Sequence, residues 1–130
     1  MFIRILVVED EVITRFALEE ALRDLGMSVA AHHDAESALL HLATATFDAA
    51  IIDVALPGLR GDEFAYQCLQ NHPNMAIVLV TGFDAQQINR LFTPGSRVVT
   101  LEKPFEFTVL RDCLQRLGIP VPGELSTATT

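Results

Sequence analysis

One short segment, residues 3–11, reads IRILVVEDE and joins an apolar run directly to three acidic residues. A nearly continuous apolar run of this length is typical of a strand that is covered on both faces of a parallel sheet. Four further segments rich in Val, Ile, Leu or Ala follow at intervals of about 25 residues, at residues 27–31, 49–52, 76–80 and 98–101. The pattern predicts five strands, the first of which covers residues 3–8.

Segments in which apolar residues recur at helical spacing separate these strands. We expect five helices. They run from about Val12 to Leu25, from an N-cap at Asp34 through Leu42, around Phe64 to Leu69 with Pro73 beyond the end, from an N-cap at Asp84 through Leu91, and from Pro104 in a first turn to about Leu117. Alternation of strand and helix predicts an α/β fold, a doubly wound parallel sheet with helices on both faces.

Length and composition indicate one soluble globular domain, because the chain has 130 residues, of which 50% are hydrophobic and 20% are charged. No apolar run approaches the ~20 residues that cross a bilayer, so we expect a cytoplasmic protein without membrane insertion. A net charge of −8 disfavours direct binding to nucleic acid. We place the domain at residues 1–118 and expect residues 119–130, which include two prolines and a polar end, to form a flexible tail or a linker.

Polar residues follow the carboxyl ends of four predicted strands. The first strand runs into Glu9 and Asp10, the third into Asp53, the fourth into Thr81 and the fifth into Lys103. In open parallel α/β sheets, ligands bind outside the carboxyl ends of the strands. We therefore expect these side chains to lie together at one edge of an otherwise apolar sheet.

Carboxylates gathered at one edge repel one another. Two of them about 5 Å apart repel by roughly 3 kcal/mol at an effective dielectric near 20, and a divalent cation removes that cost. Hard carboxylate oxygens are the ligands that Mg²⁺ prefers. A carboxylate nucleophile, a metal, an ammonium and a hydroxyl are the parts of a phosphoryl-transfer site. The nucleotide-binding patterns G-x-x-x-x-G-K-[ST] and G-x-G-x-x-G do not occur in the chain.

The strand-end residues resemble those of the receiver domain of two-component response regulators. The likeness rests on VEDE at residues 8–11, DVALPG at residues 53–58 with Gly61 beyond it, TG at residues 81–82 and KPF at residues 103–105. It extends over about residues 3–117, nearly the whole predicted domain. The resemblance implies a flavodoxin-like strand order, 2-1-3-4-5.

The resemblance also implies a phosphoacceptor and a metal site. Asp53 corresponds to the nucleophile that takes a phosphoryl group from a histidine kinase or a histidine phosphotransfer protein, after which the domain switches conformation to control a partner. Asp10, Asp53 and the backbone carbonyl of Ala55 correspond to direct metal ligands. Glu9 corresponds to an acid that reaches the metal through water. The implied metal is Mg²⁺, for which Mn²⁺ can substitute.

Four further positions complete the implied site. The Thr81 hydroxyl and the Lys103 ammonium correspond to the groups that bind the phosphoryl oxygens. Gly82 follows Thr81, and Pro104 follows Lys103 at a position where receivers commonly have a cis peptide bond. A receiver promotes its own phosphotransfer and dephosphorylation without turning over a free substrate, so we do not expect an enzyme in the usual sense.

Thr100 departs from the family pattern, because receivers often carry an aromatic residue or His three positions before the lysine. The sequence therefore does not support an aromatic rotamer switch, and we expect output to depend on Thr81 and on residues 82–94. Two other functions stay open: a pseudo-receiver that binds a partner without phosphorylation, and an aspartyl-phosphate phosphatase of the haloacid dehalogenase type. The phosphatases usually have a second acid two residues after the nucleophile, where this chain has Ala55.

Overall fold

Strands and helices alternate along the chain in the computed structural model, which describes residues 2–82, 85–93 and 95–123. The strands are β1 Arg4–Val8, β2 Ser28–His32, β3 Ala49–Asp53, β4 Ala76–Thr81 and β5 Val98–Glu102. The helices are α1 Val12–Asp24, α2 Ala35–Leu42, α3 Gly61–Asn71, α4 Ala85–Asn89 and α5 Phe107–Arg116.

All five strands are parallel and lie in the order β2-β1-β3-β4-β5. The central strand β3 and its neighbour β4 are buried at every position, as their continuous apolar sequences predict. The prediction of a five-stranded parallel sheet with flavodoxin-like order 2-1-3-4-5 is therefore confirmed.

Two apolar clusters cover the two faces of the sheet, because successive residues of a strand point to opposite faces. The first cluster contains Leu6 and Ile52 together with buried residues of α2 and α3. The second contains Ile5 and Ile51 together with buried residues of α1 and α5. Helices on both faces leave the two ends of the sheet uncovered, and the carboxyl end carries the polar residues.

The predicted termini of α2 agree with the structure, whereas the start of α5 and the end of α4 differ from the prediction. Asp34 is the N-cap of α2, and its carboxylate accepts a hydrogen bond from the Ser37 backbone N–H at 2.9 Å. The prediction that Pro104 lies in the first turn of α5 is wrong, because this helix begins at Phe107 after an extended residue, Glu106. The extended backbone lets both Phe105 and Phe107 pack against the second cluster, with their rings edge to face.

Helix α4 is also shorter than predicted, since it ends at Asn89 rather than at Leu91. Beyond it, the Leu91 and Phe92 backbone N–H groups donate to the carbonyls of Ile88 and Asn89, three residues back, which tightens the chain and brings Phe92 into the core. The expected N-cap of this helix, Asp84, lies outside the described residues.

The described chain continues past α5 to Gly123. Ile119 is buried in the second cluster, and Val121 packs against it. Pro122 lies against Gly26, which follows α1 and has a φ of 90°. The division into a domain of residues 1–118 and a tail of residues 119–130 stays a prediction. Within the described ranges, no helix has the length and apolar character needed to cross a membrane.

Candidate metal and phosphoryl site

The carboxyl ends of β1, β3 and β4 carry three buried polar residues. Glu9, Asp53 and Thr81 are only 2%, 7% and 6% exposed. Each follows or ends a strand that is buried along its whole length, except for Arg4 at the start of β1, so the packing of the sheet forces these polar groups inward. Burial of a charged group is costly unless it has partners, which makes the contacts of these residues informative.

A carboxylate cluster lies at this edge, as the sequence predicts. One oxygen from each of Glu9, Asp10 and Asp53 lies within 4.8 Å of the others. Glu9 and Asp53 are buried, whereas Asp10 is exposed. The cluster is therefore open to solvent on the side of Asp10. Three carboxylate oxygens at this spacing are hard donors, and the set fits a cation such as Mg²⁺ better than a metal that prefers nitrogen or sulfur.

Lys103 lies between two of the three carboxylates. Its Nζ is 2.8 Å from Oδ2 of Asp53 and 3.2 Å from Oε1 of Glu9. Partial burial lowers the pKa of Lys103. The hydrogen bonds that Lys103 donates to Asp53 and Glu9, and the charges of these two acids, outweigh the effect of burial, so the pKa of Lys103 is raised. The ammonium therefore stays charged and offsets part of the negative charge at the site.

The Glu9 carboxyl is strongly perturbed. Burial, together with the neighbouring Asp53, raises the pKa of Glu9 to about 7, despite the opposing effects of the Glu11 backbone N–H and of Lys103. The Glu11 N–H donates to Oε2 of Glu9 at 3.1 Å. A carboxyl with a pKa near neutrality changes charge easily when a cation approaches.

The loop after β3 folds tightly around Asp53. The Ala55 backbone N–H donates to Oδ1 of Asp53 at 3.0 Å, and the Gly61 N–H donates to the carbonyl of Val54 at 2.9 Å. A Cβ on Gly61 would lie 1.8 Å from the carbonyl oxygen of Asp53, so only glycine fits there. Gly61 belongs to the receiver pattern in the sequence, but no signal in the sequence predicts this contact.

Thr81 and Lys103 lie on neighbouring strand ends. The Lys103 backbone N–H donates to the carbonyl of Thr81 at 2.8 Å, and the Lys103–Pro104 peptide bond is cis, as the resemblance implies. Thr81 and Gly82 line a cavity of about 380 Å³ that also borders Ala55. The structure thus brings the hydroxyl-bearing strand end and the loop after Asp53 to the same opening.

Two residues that contact the site's loops were not found from the sequence. The Arg15 guanidinium donates to the carbonyl of Glu9 at 2.9 Å, and Glu36 Oε2 accepts from the Leu59 backbone N–H at 3.1 Å. Both side chains extend from helices to loops, and the Glu36 contact joins residues 23 positions apart. No local pattern in the sequence signals such contacts, because they depend on how the helices pack.

The fold and the carboxylate cluster together define a signalling domain of the receiver type. Residues 5–115 match the family model described as the response regulator receiver domain. Because this match covers most of the chain, the protein belongs to that family.

Individual relatives agree with this assignment. The response regulator receiver protein CpdR of Brucella abortus is 30% identical over 114 residues, which are 88% of this chain and 92% of CpdR. The response regulator protein FleR of Pseudomonas aeruginosa is 31% identical over 124 residues, which are 95% of this chain but 26% of FleR. Several curated relatives are much longer, and the chain spans 28%, 37% and 26% of three of them.

A solved structure extends the comparison to three dimensions. The response regulator protein TrrA of Thermotoga maritima, crystallised in complex with Mg²⁺-BeF, is similar with a TM-score of 0.79 and 28% sequence identity. The similarity covers 89% of this chain and 99% of the TrrA chain.

Proposed function

We propose that this domain accepts a phosphoryl group on Asp53, with Mg²⁺ held beside it, and then switches conformation to control a partner. The observation that carries the proposal is the cluster of oxygens from Glu9, Asp10 and Asp53 within 4.8 Å, together with Lys103 bonded to two of them. Membership of the receiver family supports it.

Asp10, Asp53 and the backbone carbonyl of Ala55 are the proposed direct ligands of the cation, and Glu9 is proposed to reach it through water. Mn²⁺ is expected to substitute for Mg²⁺, because both accept hard oxygen ligands. When bound, the cation supplies positive charge opposite the phosphoryl oxygens. The open side of the cluster at Asp10 supports access from solvent.

Asp53 is the proposed nucleophile. One of its carboxylate oxygens attacks the phosphorus atom of a phosphohistidine, the new O–P bond forms as the N–P bond breaks, and the donor imidazole leaves with the electron pair. The Lys103 ammonium, 2.8 Å from Asp53, neutralises charge that develops on the phosphoryl oxygens. Its contacts with Asp53 and Glu9 keep it aimed at the reacting group.

Thr81 is the proposed switch residue, and its hydroxyl would bond the phosphoryl group once Asp53 is modified. Gly82 and Pro104 are the proposed structural residues of the site, following Thr81 and Lys103 respectively. Movement of Thr81 would act on α4 and the turn after it, because Ile88 of α4 and Leu91 beyond it line the cavity that Thr81 also lines. Thr100, half-buried on β5, offers no aromatic ring for a rotamer switch.

The proposed donor is a histidine kinase or a histidine phosphotransfer protein. Support comes from the surface beside the site, where Ile13 and Phe16 of α1 are 84% and 62% exposed. Ile13 borders a groove of about 330 Å³ that is also lined by Lys103 and Phe105. An apolar groove next to the phosphoryl site suits a protein donor that must bring its phosphohistidine close to Asp53. A cytoplasmic location and the absence of turnover of a free substrate belong to the same proposal.

The proposal is tested by incubating the full chain with Mg²⁺ and phosphoramidate and measuring the intact mass. We expect one phosphoryl group per chain in the wild type and none in Asp53→Asn. The matched control is Asp48→Asn, because Asp48 lies before the opposite end of β3, where it accepts from the Arg4 N–H at 2.8 Å. Labelling that survives in Asp53→Asn would remove Asp53 from the mechanism, and steady release of phosphate from p-nitrophenyl phosphate would point to a phosphatase instead.

A further inference from the structure

Arg15 contacts the turn between β1 and α1 through its guanidinium group. Its Nη1 lies 2.9 Å from the carbonyl oxygen of Glu9 and 3.4 Å from that of Asp10. The side chain is half-buried and starts in the first turn of α1, where the Arg15 backbone N–H donates to the carbonyl of Glu11. One guanidinium thus reaches back across the turn and contacts two successive peptide groups.

The other contacts of this turn hold Glu9 but not Asp10. The Glu9 N–H donates to the carbonyl of His32 at 3.0 Å, and the Glu9 carboxylate bonds Lys103 and the Glu11 N–H. Among the described residues, no hydrogen bond holds the Asp10 carboxylate. The direction of that carboxylate therefore depends on the backbone of the turn.

We propose that Arg15 is a positioning residue that orients the turn and so sets the cation affinity of the cluster. This inference rests on the proposed metal site. The N–H groups of Nη1 are fixed in the plane of the guanidinium, so the contact of this one nitrogen with both carbonyls, short to Glu9 and longer to Asp10, limits rotation of the two peptide groups. Limiting that rotation keeps the Asp10 carboxylate directed toward Asp53.

Removal of Arg15 distinguishes positioning from simple electrostatics, because the two effects predict opposite changes in the affinity for the cation. Arg15 carries a positive charge near the cluster, so loss of that charge alone would strengthen cation binding. Loss of positioning would weaken it, since the carboxylates would no longer be held together. Residues that orient metal ligands typically contribute tenfold or more to affinity.

The experiment measures Mg²⁺ affinity of the full chain by NMR titration, without any phosphodonor. We expect Arg15→Ala to bind about tenfold more weakly than the wild type and Arg15→Lys to lie between them. The matched control is Arg23→Ala, which removes the same charge from the same helix at a side chain that pairs with Glu19 at 2.9 Å. That control should bind Mg²⁺ as the wild type does.

A second readout separates positioning from damage to the fold. At saturating Mg²⁺, the labelling rate of Arg15→Ala by phosphoramidate should approach the wild-type rate, because the cation then holds the turn. Persistent loss of labelling at saturation would overturn the proposal. Unchanged or tighter Mg²⁺ binding by Arg15→Ala would also overturn it.

If Arg15→Ala lacks a cooperative thermal transition, the Mg²⁺ affinity of Arg15→Lys alone tests the proposal. This variant conserves the charge, so wild-type affinity would refute positioning and weaker binding would support it. A failure of the proposed function can be distinguished from a failure of the Arg15 proposal, because the wild type itself would then show no Mg²⁺-dependent shifts at the resonances of Asp10 and Asp53.

Discussion

Lys103 and Asp53 lie 50 positions apart in the chain, yet the Lys103 Nζ is 2.8 Å from the Asp53 Oδ2. The same nitrogen is 3.2 Å from Glu9 Oε1. One ammonium therefore balances only part of the charge that Glu9, Asp10 and Asp53 can carry. The remaining negative charge favours a cation at the site, and the ammonium favours an anionic phosphoryl group beside it.

Lys103→Met should separate binding of the cation from transfer of the phosphoryl group. Removal of the ammonium takes away a positive charge, so Mg²⁺ binding should be as tight as in the wild type or tighter. Phosphoryl transfer to Asp53 should slow by about a hundredfold, because a charge-stabilising group is lost in the transition state. Mg²⁺ titration and the labelling rate with phosphoramidate measure the two effects. A Lys103→Met chain labelled at the wild-type rate would exclude the proposed role of Lys103.

The stability of the metal-free domain should depend on the protonation of Glu9. Folding raises the pKa of Glu9 from 4.5 to about 7, so the folded state favours the protonated form. The resulting stabilisation is fully present below pH 4.5 and is lost as the pH rises through about 7. By linkage, the loss amounts to ~3 kcal/mol at most.

Glu9→Gln removes that titration and should abolish this part of the pH dependence. In EDTA, we expect the variant to be more stable than the wild type at pH 8.5 by about 1–3 kcal/mol, with a smaller difference at pH 5. Urea unfolding at the two pH values measures this difference. Glu20→Gln on the exposed face of α1 is the matched control and should follow the wild type. An identical response of Glu9→Gln and the wild type to pH would refute the perturbed titration.

The sheet and the carboxylate cluster could be predicted from the sequence because their signals are local. The apolar runs of β3 and β4 mark buried parallel strands, and such strands bring the residues at their ends, Asp53 and Thr81, to the same edge. The receiver pattern added the strand order. No interaction between distant helices was needed for these predictions.

Other features depend on tertiary contacts and could not be predicted in the same way. The start of α5 follows from the packing of Phe105 and Phe107, which overrides the local preference of Pro104 for a first turn. The contact between Arg15 and the carbonyl of Glu9 depends on how the turn between β1 and α1 folds back on the first turn of the helix. A long polar side chain on a helix usually faces solvent, so its sequence position carries no signal of such a contact.

Mg²⁺ should stabilise the folded chain through Asp10. A ligand that binds only the folded state adds about 2.7 kcal/mol at a concentration of 100 times its Kd. We expect that increment in urea unfolding of the wild type at pH 7.5, and little or none of it in Asp10→Asn. Asp24→Asn, at the far end of α1, is the matched control and should keep the increment. Full stabilisation of Asp10→Asn by Mg²⁺ would show that Asp10 is not a ligand.

Gly61→Ala should destabilise the domain by changing the loop that surrounds Asp53. The added Cβ would lie 1.8 Å from the Asp53 carbonyl oxygen and 2.8 Å from the Val54 Cα, both backbone atoms that cannot rotate away. The clash can be relieved only if the end of β3 moves. We therefore expect a loss of about 3 kcal/mol or more in the free energy of unfolding.

The matched control is Gly82→Ala, because a Cβ on Gly82 meets no atom within 4 Å. We expect this variant to unfold within about 1 kcal/mol of the wild type. Since Gly61 holds the chain that carries Asp53 and Ala55, Gly61→Ala should also weaken Mg²⁺ binding in whatever fraction remains folded. Equal stability of Gly61→Ala and Gly82→Ala would mean that the loop can move aside at little cost, and that the close approach of Gly61 to Asp53 does not constrain the phosphoryl site.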